Sequence, residues 1–202
     1  MMDGNEKLPG TGRIEAFSDG VIAIIITIMI LELKVPAESI THGSFIGVVH
    51  ELGPNLLVYA LSFLIVAIML LNHHSIMRVA PHATSALYWW NANLLFWMSL
   101  IPLATAAFGE APEEPLAVAC YGAVLFCNAV SFTLLLRYAG TLSPPDPALA
   151  AYNRRNNIKS ALFTALYGLS VPLAYVSVVI SIVIFVAVAM AYFLPSRMPG
   201  ER

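Results

Sequence analysis

The feature that most constrains the fold is an apolar run at residues 13–34, RIEAFSDGVIAIIITIMILELK. A helix needs about 20 residues to cross a bilayer, and this run is long enough. Its first turns nevertheless carry Arg13, Ser18 and Asp19. An ionisable group in a membrane helix costs roughly 2.5 kcal/mol or more near the bilayer centre, so it usually has a partner and a function. The run therefore predicts a retained transmembrane helix with a polar cluster near one end.

Composition places the whole chain among integral membrane proteins. Of its 202 residues, 59% are apolar and 11% are charged, whereas about 25% of residues are charged in a soluble domain. The basic residues form no surface interleaved with aromatic residues, so nucleic acid is not an expected partner. The length suits one helical bundle. We expect a single membrane domain over residues 1–202, with short tails at 1–12 and 195–202.

Six apolar segments predict an all-α membrane protein with six transmembrane helices. The segments cover residues 14–33, 55–71, 88–108, 116–136, 158–171 and 173–194. The fifth is short for a span, and we expect it to extend back through the polar stretch 152–157. A turn at 170–172, containing Pro172, separates the fifth segment from the sixth. The alternative is one bent helix, but 37 apolar-rich residues greatly exceed one bilayer thickness.

Charge bias predicts the orientation of this bundle. If both termini share one side, all but one of the basic residues fall there: Lys7, Arg13, Arg78, Arg137, Arg154, Arg155, Lys159, Arg197 and Arg202. Only Lys34 falls on the other side. By the positive-inside rule, the basic side is cytoplasmic. We therefore expect a multi-pass protein of the plasma membrane with both termini in the cytoplasm.

One face of the first helix carries an aliphatic stripe. At about 100° per residue, the stripe contains Arg13, Phe17, Gly20, Ile24, Ile28 and Leu31, with Thr27 at its edge. Asp19 points about 140° away from the centre of the stripe, toward neighbouring helices. An aliphatic face of a membrane helix ordinarily meets lipid or another helix. A pore lining is the alternative function of such a face.

Two histidines end the second segment, at a membrane depth similar to that of Asp19. His73 and His74 could join Asp19 in a hydrogen-bonded network that packs helix one against helix two. Alternatively, they could sense protons, since histidine titrates near neutral pH. A metal site is the weakest reading, because adjacent histidines diverge by about 100° on a helix and no spaced Cys/His/Glu set completes the coordination.

Several motifs resemble those of the transmembrane protein 175 family, the lysosomal and bacterial potassium channels. They are RxxxFSDG at residues 13–20, AI at 23–24 with Thr27, LNHH at 71–74, NLLF at 93–96 and SLIPL at 99–103. With six spans in 202 residues, the chain is similar to the single-repeat prokaryotic members of the family. The predicted architecture resembles that of the family over most of the chain, and the matching motifs cover about 50 residues.

The resemblance implies a homotetramer in which the first helices line a central pore. It implies a narrow apolar ring at Ile24 and further rings at Ile28 and Leu31. The hydroxyl of Thr27 either lies beside this path or bonds back to a carbonyl of its own helix. The resemblance also implies a packing network of the signature residues Arg13, Phe17, Ser18, Asp19, Gly20, His73 and His74. The permeant ion would be potassium or a similar monovalent cation. No other cofactor or resident metal is expected, and the sequence contains no TVGYG-like filter.

Two functions of other classes remain open at this stage. One is a proton-coupled secondary transporter that uses Asp19 with His73 and His74 as a relay. The other is a membrane-embedded metalloenzyme. The chain contains no glycine-rich phosphate loop and no GxSxG nucleophile, so we expect no enzyme. The function predicted from the sequence is a potassium-favouring cation channel with an aliphatic constriction on the first helix.

Overall fold

The fold is seen in a computed structural model that describes residues 10–33 and 45–193, and all the secondary structure in these residues is helical. The elements are α1 (Gly12–Met29), a 3-10 turn (Ile30–Glu32), α2 (Phe45–Val79), α3 (Ser85–Ser99), α4 (Ile101–Glu110), α5 (Pro115–Leu142), α6 (Pro147–Ala174) and α7 (Val178–Phe193). The tails predicted at 1–12 and 195–202 lie almost entirely outside the described residues.

Four stretches of the described chain are long and apolar enough to cross a membrane. They are Gly12–Glu32, Leu52–Val79, Ser85–Glu110 and Pro115–Leu142. A fifth apolar helix, Val178–Tyr192, is shorter. The all-helical membrane fold is therefore confirmed. The full set of six spans stays a prediction, because neither α6 nor α7, over its described residues, is both long and apolar enough to cross a membrane.

The last two helices form an antiparallel hairpin, which rules out one bent helix. The rings of Phe163 on α6 and Tyr192 on α7 lie 4.5 Å apart between centroids. As expected, α6 extends back through the polar stretch 152–157. The turn predicted at 170–172 is wrong: it follows Ala174, and α7 begins at Val178. Pro172 lies inside the last turn of α6; a proline removes one N–H from the helix ladder, and the helix ends two residues later, at Ala174.

The third predicted segment, 88–108, is interrupted near its middle. Helix α3 ends at Ser99 and α4 begins at Ile101, with Leu100 between them. Pro102 lies in the first turn of α4. Since the first N–H groups of a helix have no partner within it, a proline is accommodated there. The span is thus two helices in series.

Buried apolar side chains form two clusters. The first joins α1 to α2, α3 and α5 through aliphatic residues such as Ile22, Met69 and Leu94. The second contains no residue of α1 among those described, and it is centred on aromatic rings of α4 to α7. In that second cluster Phe185 lies 5.2 Å from Tyr121 between ring centroids. Helices α2, α4 and α5 contribute to both clusters.

Basic side chains of the described residues gather at one end of the bundle, where the acidic Glu15 and Asp19 also lie. The start of α1 lies beside the end of α2, because Thr11 Oγ1 donates to the Met77 carbonyl at 3.4 Å. Arg78 and Lys159 line one cavity at this end. Glu32 lies at the far end of α1, beside Asn55 and Glu110. Four of the ten predicted flanking cations, Lys7, Lys34, Arg197 and Arg202, lie outside the described residues.

Candidate functional site on the first helix

Helix α1 buries one face and leaves the opposite face uncovered. The buried residues are Ile14, Ser18, Ile22, Ile25 and Met29. The exposed face includes the residues here called the α1 stripe, which are Arg13, Phe17, Gly20, Ile24, Thr27, Ile28 and Leu31; Ala16, Ala23, Ile30 and Glu32 beside the stripe are exposed as well. Within the stripe, Ile24 is 57% exposed, Ile28 43% and Leu31 76%. The stripe therefore contacts something outside this protomer, such as lipid or another copy of the chain.

The hydroxyl of Thr27 is bound to its own helix. Its Oγ1 lies 3.1 Å from the Ala23 carbonyl oxygen and 2.9 Å from that of Ile24, and donates toward both. This back-bond is common for threonine in membrane helices, where the backbone carbonyl offers a nearby acceptor. The α1 stripe is consequently aliphatic from Ile24 to Leu31, apart from a hydroxyl oxygen whose proton is already shared.

A buried polar bridge ties α1 to two other helices. Ser18, His73 and Asn91 are each at most 1% exposed. Asn91 Nδ2 donates to Ser18 Oγ at 2.9 Å, and Ser18 Oγ donates to the Ile14 carbonyl at 2.8 Å. Asn91 Oδ1 lies 2.8 Å from His73 Nε2. An amide oxygen only accepts, so we assign the proton of the His73 ring to Nε2.

Asn91 is the member of this bridge that the signature residues do not include. A buried asparagine in a membrane helix needs partners on other helices, and that is the only sequence signal that identifies it. Which helices surround α3 cannot be read from the period of α3 itself. The partners of Asn91 on α1 and α2 therefore emerge only from the structure.

A second polar contact between α1 and α2 lies at the rim of the bundle. His74 Nε2 lies 3.1 and 3.3 Å from the two carboxylate oxygens of Asp19. Glu15 Oε1 is 3.8 Å from the same nitrogen. The side chains are partly exposed, 32% for His74 and 42% for Asp19. The residues described contain no group of His, Cys, Asp or Glu arranged to hold a metal ion.

Of the seven signature residues, four form two pairs in the structure and three take part in neither pair. Ser18 and His73 meet through the buried bridge, and Asp19 meets His74 at the rim. The other three, Arg13, Phe17 and Gly20, lie on the exposed α1 stripe. A Cβ added at Gly20 would meet nothing within 4 Å, so packing within one protomer does not require glycine there.

Known proteins are similar in sequence to this chain over nearly its whole length. A potassium channel of Chryseobacterium sp. (strain P1-3) is 35% identical over 190 residues, covering 92% of this chain and 94% of the relative. A potassium channel of Chamaesiphon minutus is 32% identical over 196 residues, covering 93% and 95% of the two chains. The human endosomal/lysosomal proton channel TMEM175 is 35% identical over 148 residues, which cover 65% of this chain and 29% of that protein.

A solved structure and a family model agree with these relatives. The crystal structure of a lysosomal potassium-selective channel TMEM175 homolog from Chamaesiphon minutus matches with a TM-score of 0.80 and 30% identity. The match covers 91% of this chain and 96% of that one. The family model described as endosomal/lysosomal potassium channel TMEM175 matches residues 13–102. This range contains the signature, so the predicted resemblance is confirmed: the chain belongs to the TMEM175 family of ion channels.

Proposed function

We propose that the chain is one subunit of a homotetrameric, potassium-favouring cation channel whose central pore is lined by α1. The α1 stripe is the observation that carries this proposal. Its aliphatic residues Ile24, Ile28 and Leu31 follow one another at spacings of four and three residues and remain exposed. The relatives named potassium channels cover more than nine tenths of this chain, which supports conduction as the function of that face.

The chemistry of the stripe favours a hydrophobic constriction over a ligand-lined filter. Aliphatic side chains offer no oxygen to a cation, so an ion would pass only with much of its hydration shell. A narrow aliphatic ring loses its water and closes. Potassium holds its water less tightly than sodium, so partial dehydration at Ile24 would favour potassium. The remaining acceptor capacity of Thr27 would lie beside this path.

The bridge and the rim contact would hold α1 at a fixed rotation, so that the stripe faces the pore axis. Ser18 lies on the face opposite the stripe, and its bonds with Asn91 attach that face to α3. The basic end of the bundle, which contains Arg78 and Lys159, would face the cytoplasm of a cell whose plasma membrane holds the channel. No catalytic step is assigned, since the family is one of ion channels.

Replacing Ile24 with asparagine tests the constriction. Ile24→Asn should hydrate the neck, raise single-channel conductance in planar bilayers, and reduce the potassium-over-sodium shift in reversal potential. Val183 on α7 is 59% exposed, close to the 57% of Ile24, so Val183→Asn is the matched control and should leave both quantities unchanged. Currents unaffected by Ile24→Asn would remove Ile24 from the conduction path.

The same recordings distinguish the channel from a proton-coupled transporter. A channel gives unitary currents that reverse near the potassium equilibrium potential. A transporter that uses Asp19 and His74 gives a saturable flux that depends on the proton gradient. A saturable, proton-coupled flux without unitary events would replace the proposed function.

A further inference from the structure

A cavity of about 510 Å³ lies away from α1, between α2, α5, α6 and α7. Its volume falls in the range of about 300–1,000 Å³ that is typical of small-molecule sites. Its described lining includes two cations, Arg78 and Lys159, and an apolar wall with Ile68, Leu71 and Phe132. None of these five residues takes part in the polar bridge or the α1 stripe.

The lining changes character along the bundle axis. On α2 it is apolar at Ile68 and Leu71, and farther along the helix the polar residues Asn72, Ser75 and Arg78 line it together with Ile76 and Val79. Ten residues of helix from Ile68 to Arg78 correspond to about 15 Å. Ile68 and Leu71 thus lie toward the middle of the span and the cation lies toward its end. A phospholipid has the same gradient, from acyl chain to headgroup.

The second cation is held at the wall of the cavity. Lys159 Nζ lies 5.3 Å from the ring centroid of Tyr192 and 5.8 Å from that of Phe163. Cation–π contacts at these distances stabilise an ammonium group beside apolar surface. Two cations on different helices, α2 and α6, can approach one anionic group from two sides. Arginine and lysine are both common ligands of phosphate in proteins.

We propose that this cavity binds an anionic phospholipid of the leaflet at the basic end of the bundle. The phosphate contacts Arg78 and Lys159, and one acyl chain lies along Ile68, Leu71 and Phe132. Basic pockets between membrane helices on the cytoplasmic side are known to take anionic lipid headgroups. A soluble phosphate would leave the apolar wall unused, so the lining as a whole favours the lipid. The inference rests on the cavity and does not depend on conduction.

Native mass spectrometry of the full-length protein in detergent tests the assignment. With phosphatidylglycerol and phosphatidylcholine of identical acyl chains, the wild type should retain phosphatidylglycerol preferentially. Each juxtamembrane cation contributes about fivefold to the binding of an anionic lipid. Lys159→Gln and Arg78→Gln should therefore each weaken phosphatidylglycerol binding about fivefold. Lys159→Arg, which keeps the charge, should retain the lipid.

Arg154→Gln is the matched control. Arg154 lies on α6, is exposed, and lines a different cavity from Lys159, so its loss should leave the affinity unchanged. Equal binding of the two lipids, or an equal loss in Arg154→Gln, would overturn the proposal. So would competition by soluble glycerol phosphate at the concentration of the lipid, which would identify a free phosphate as the ligand. Binding that appears only after removal of the terminal tails would instead make a tail the occupant, and would also overturn it.

Discussion

At the scale of single residues, the buried amide of Asn91 holds α1 more firmly than the carboxylate of Asp19. Asp19 and His74 are 42% and 32% exposed, and ion pairs exposed to this degree contribute about 0–1 kcal/mol. Asn91 is 1% exposed and bonds to both Ser18 and His73. A buried polar group that loses its partner costs about 1–3 kcal/mol. The attachment of α1 therefore depends chiefly on the bridge.

Replacing Asn91 tests this ranking. Asn91→Leu keeps the approximate volume but leaves the buried Nε2–H of His73 without its acceptor and removes the donor to Ser18 Oγ, so the free energy of unfolding should fall by about 2 kcal/mol. Asn128 is a matched control, because it is 0% exposed and neither polar atom of its side chain has a hydrogen-bond partner in the described chain. Asn128→Leu should be neutral or stabilising. Thermal unfolding in detergent, followed by tryptophan fluorescence, measures both, and equal losses would refute the role of the bridge.

The residue-scale features that the sequence predicts are those that follow from one helix alone. Counting about 100° per residue places Ile24, Ile28 and Leu31 on one face, and all three are exposed. The partners of Asn91 depend on which helices are neighbours, and no single helix contains that information. The back-bond of Thr27 depends on a side-chain rotation that residue identity leaves open.

At the scale of elements, apolar content locates the helices, and local side chains determine where they begin and end. Asp146 accepts a hydrogen bond from the Ala148 N–H at 2.9 Å and caps α6. Thr84 accepts one from the Leu87 N–H at 3.1 Å and caps α3. Prolines are less decisive, because Pro172 is tolerated in the last turn of α6. For that reason the predicted turn at 170–172 lies too early in the chain.

Close packing of α5 against the α6–α7 hairpin predicts different effects for two glycine substitutions. A Cβ at Gly122 would lie 2.9 Å from Ser170 Oγ and 3.3 Å from the ring of Phe185, so Gly122→Ala should destabilise the fold. A Cβ at Gly53 would meet nothing within 4 Å. Alanine is favoured over glycine in a helix by about 1 kcal/mol, which offsets the crowding of a Cβ before Pro54, so Gly53→Ala should be close to neutral.

Chemical or thermal unfolding of the two glycine variants in the same detergent provides the comparison. The midpoint should fall for Gly122→Ala and should not fall for Gly53→Ala. A midpoint for Gly122→Ala equal to that of the wild type would show that the hairpin moves aside at no cost. Close packing at this position would then not be part of what holds α5 in place.

At the scale of the whole molecule, the subunit arrangement is the feature that one chain cannot specify. The periodicity of α1 predicts an aliphatic face, and the protomer leaves that face uncovered. Charge bias predicts one basic end, and Arg78 and Lys159 do share a cavity there. Neither observation gives the number of subunits, because contacts between copies are not part of a single protomer.

Disulfide trapping tests whether copies of α1 meet. Cys120 and Cys127 are free, so both are first replaced by serine. In this background, Ile24→Cys should form intersubunit disulfides on mild oxidation, since a narrow neck brings the Cα atoms toward the 4.4–6.8 Å that a disulfide needs. Val183→Cys, of similar exposure, should not. Equal cross-linking of the two variants on non-reducing gels would place α1 outside the centre of the assembly.

The division of the interior into two clusters has a mechanical consequence. Helix α1 belongs only to the aliphatic cluster, whereas the rings of Tyr121 and Phe185 belong to the cluster formed by the later helices. Rotating or sliding α1 would therefore disturb the first cluster directly, and would affect the aromatic cluster through α2, α4 and α5, which contribute to both. The aromatic packing of the later helices is thus formed without any described side chain of α1.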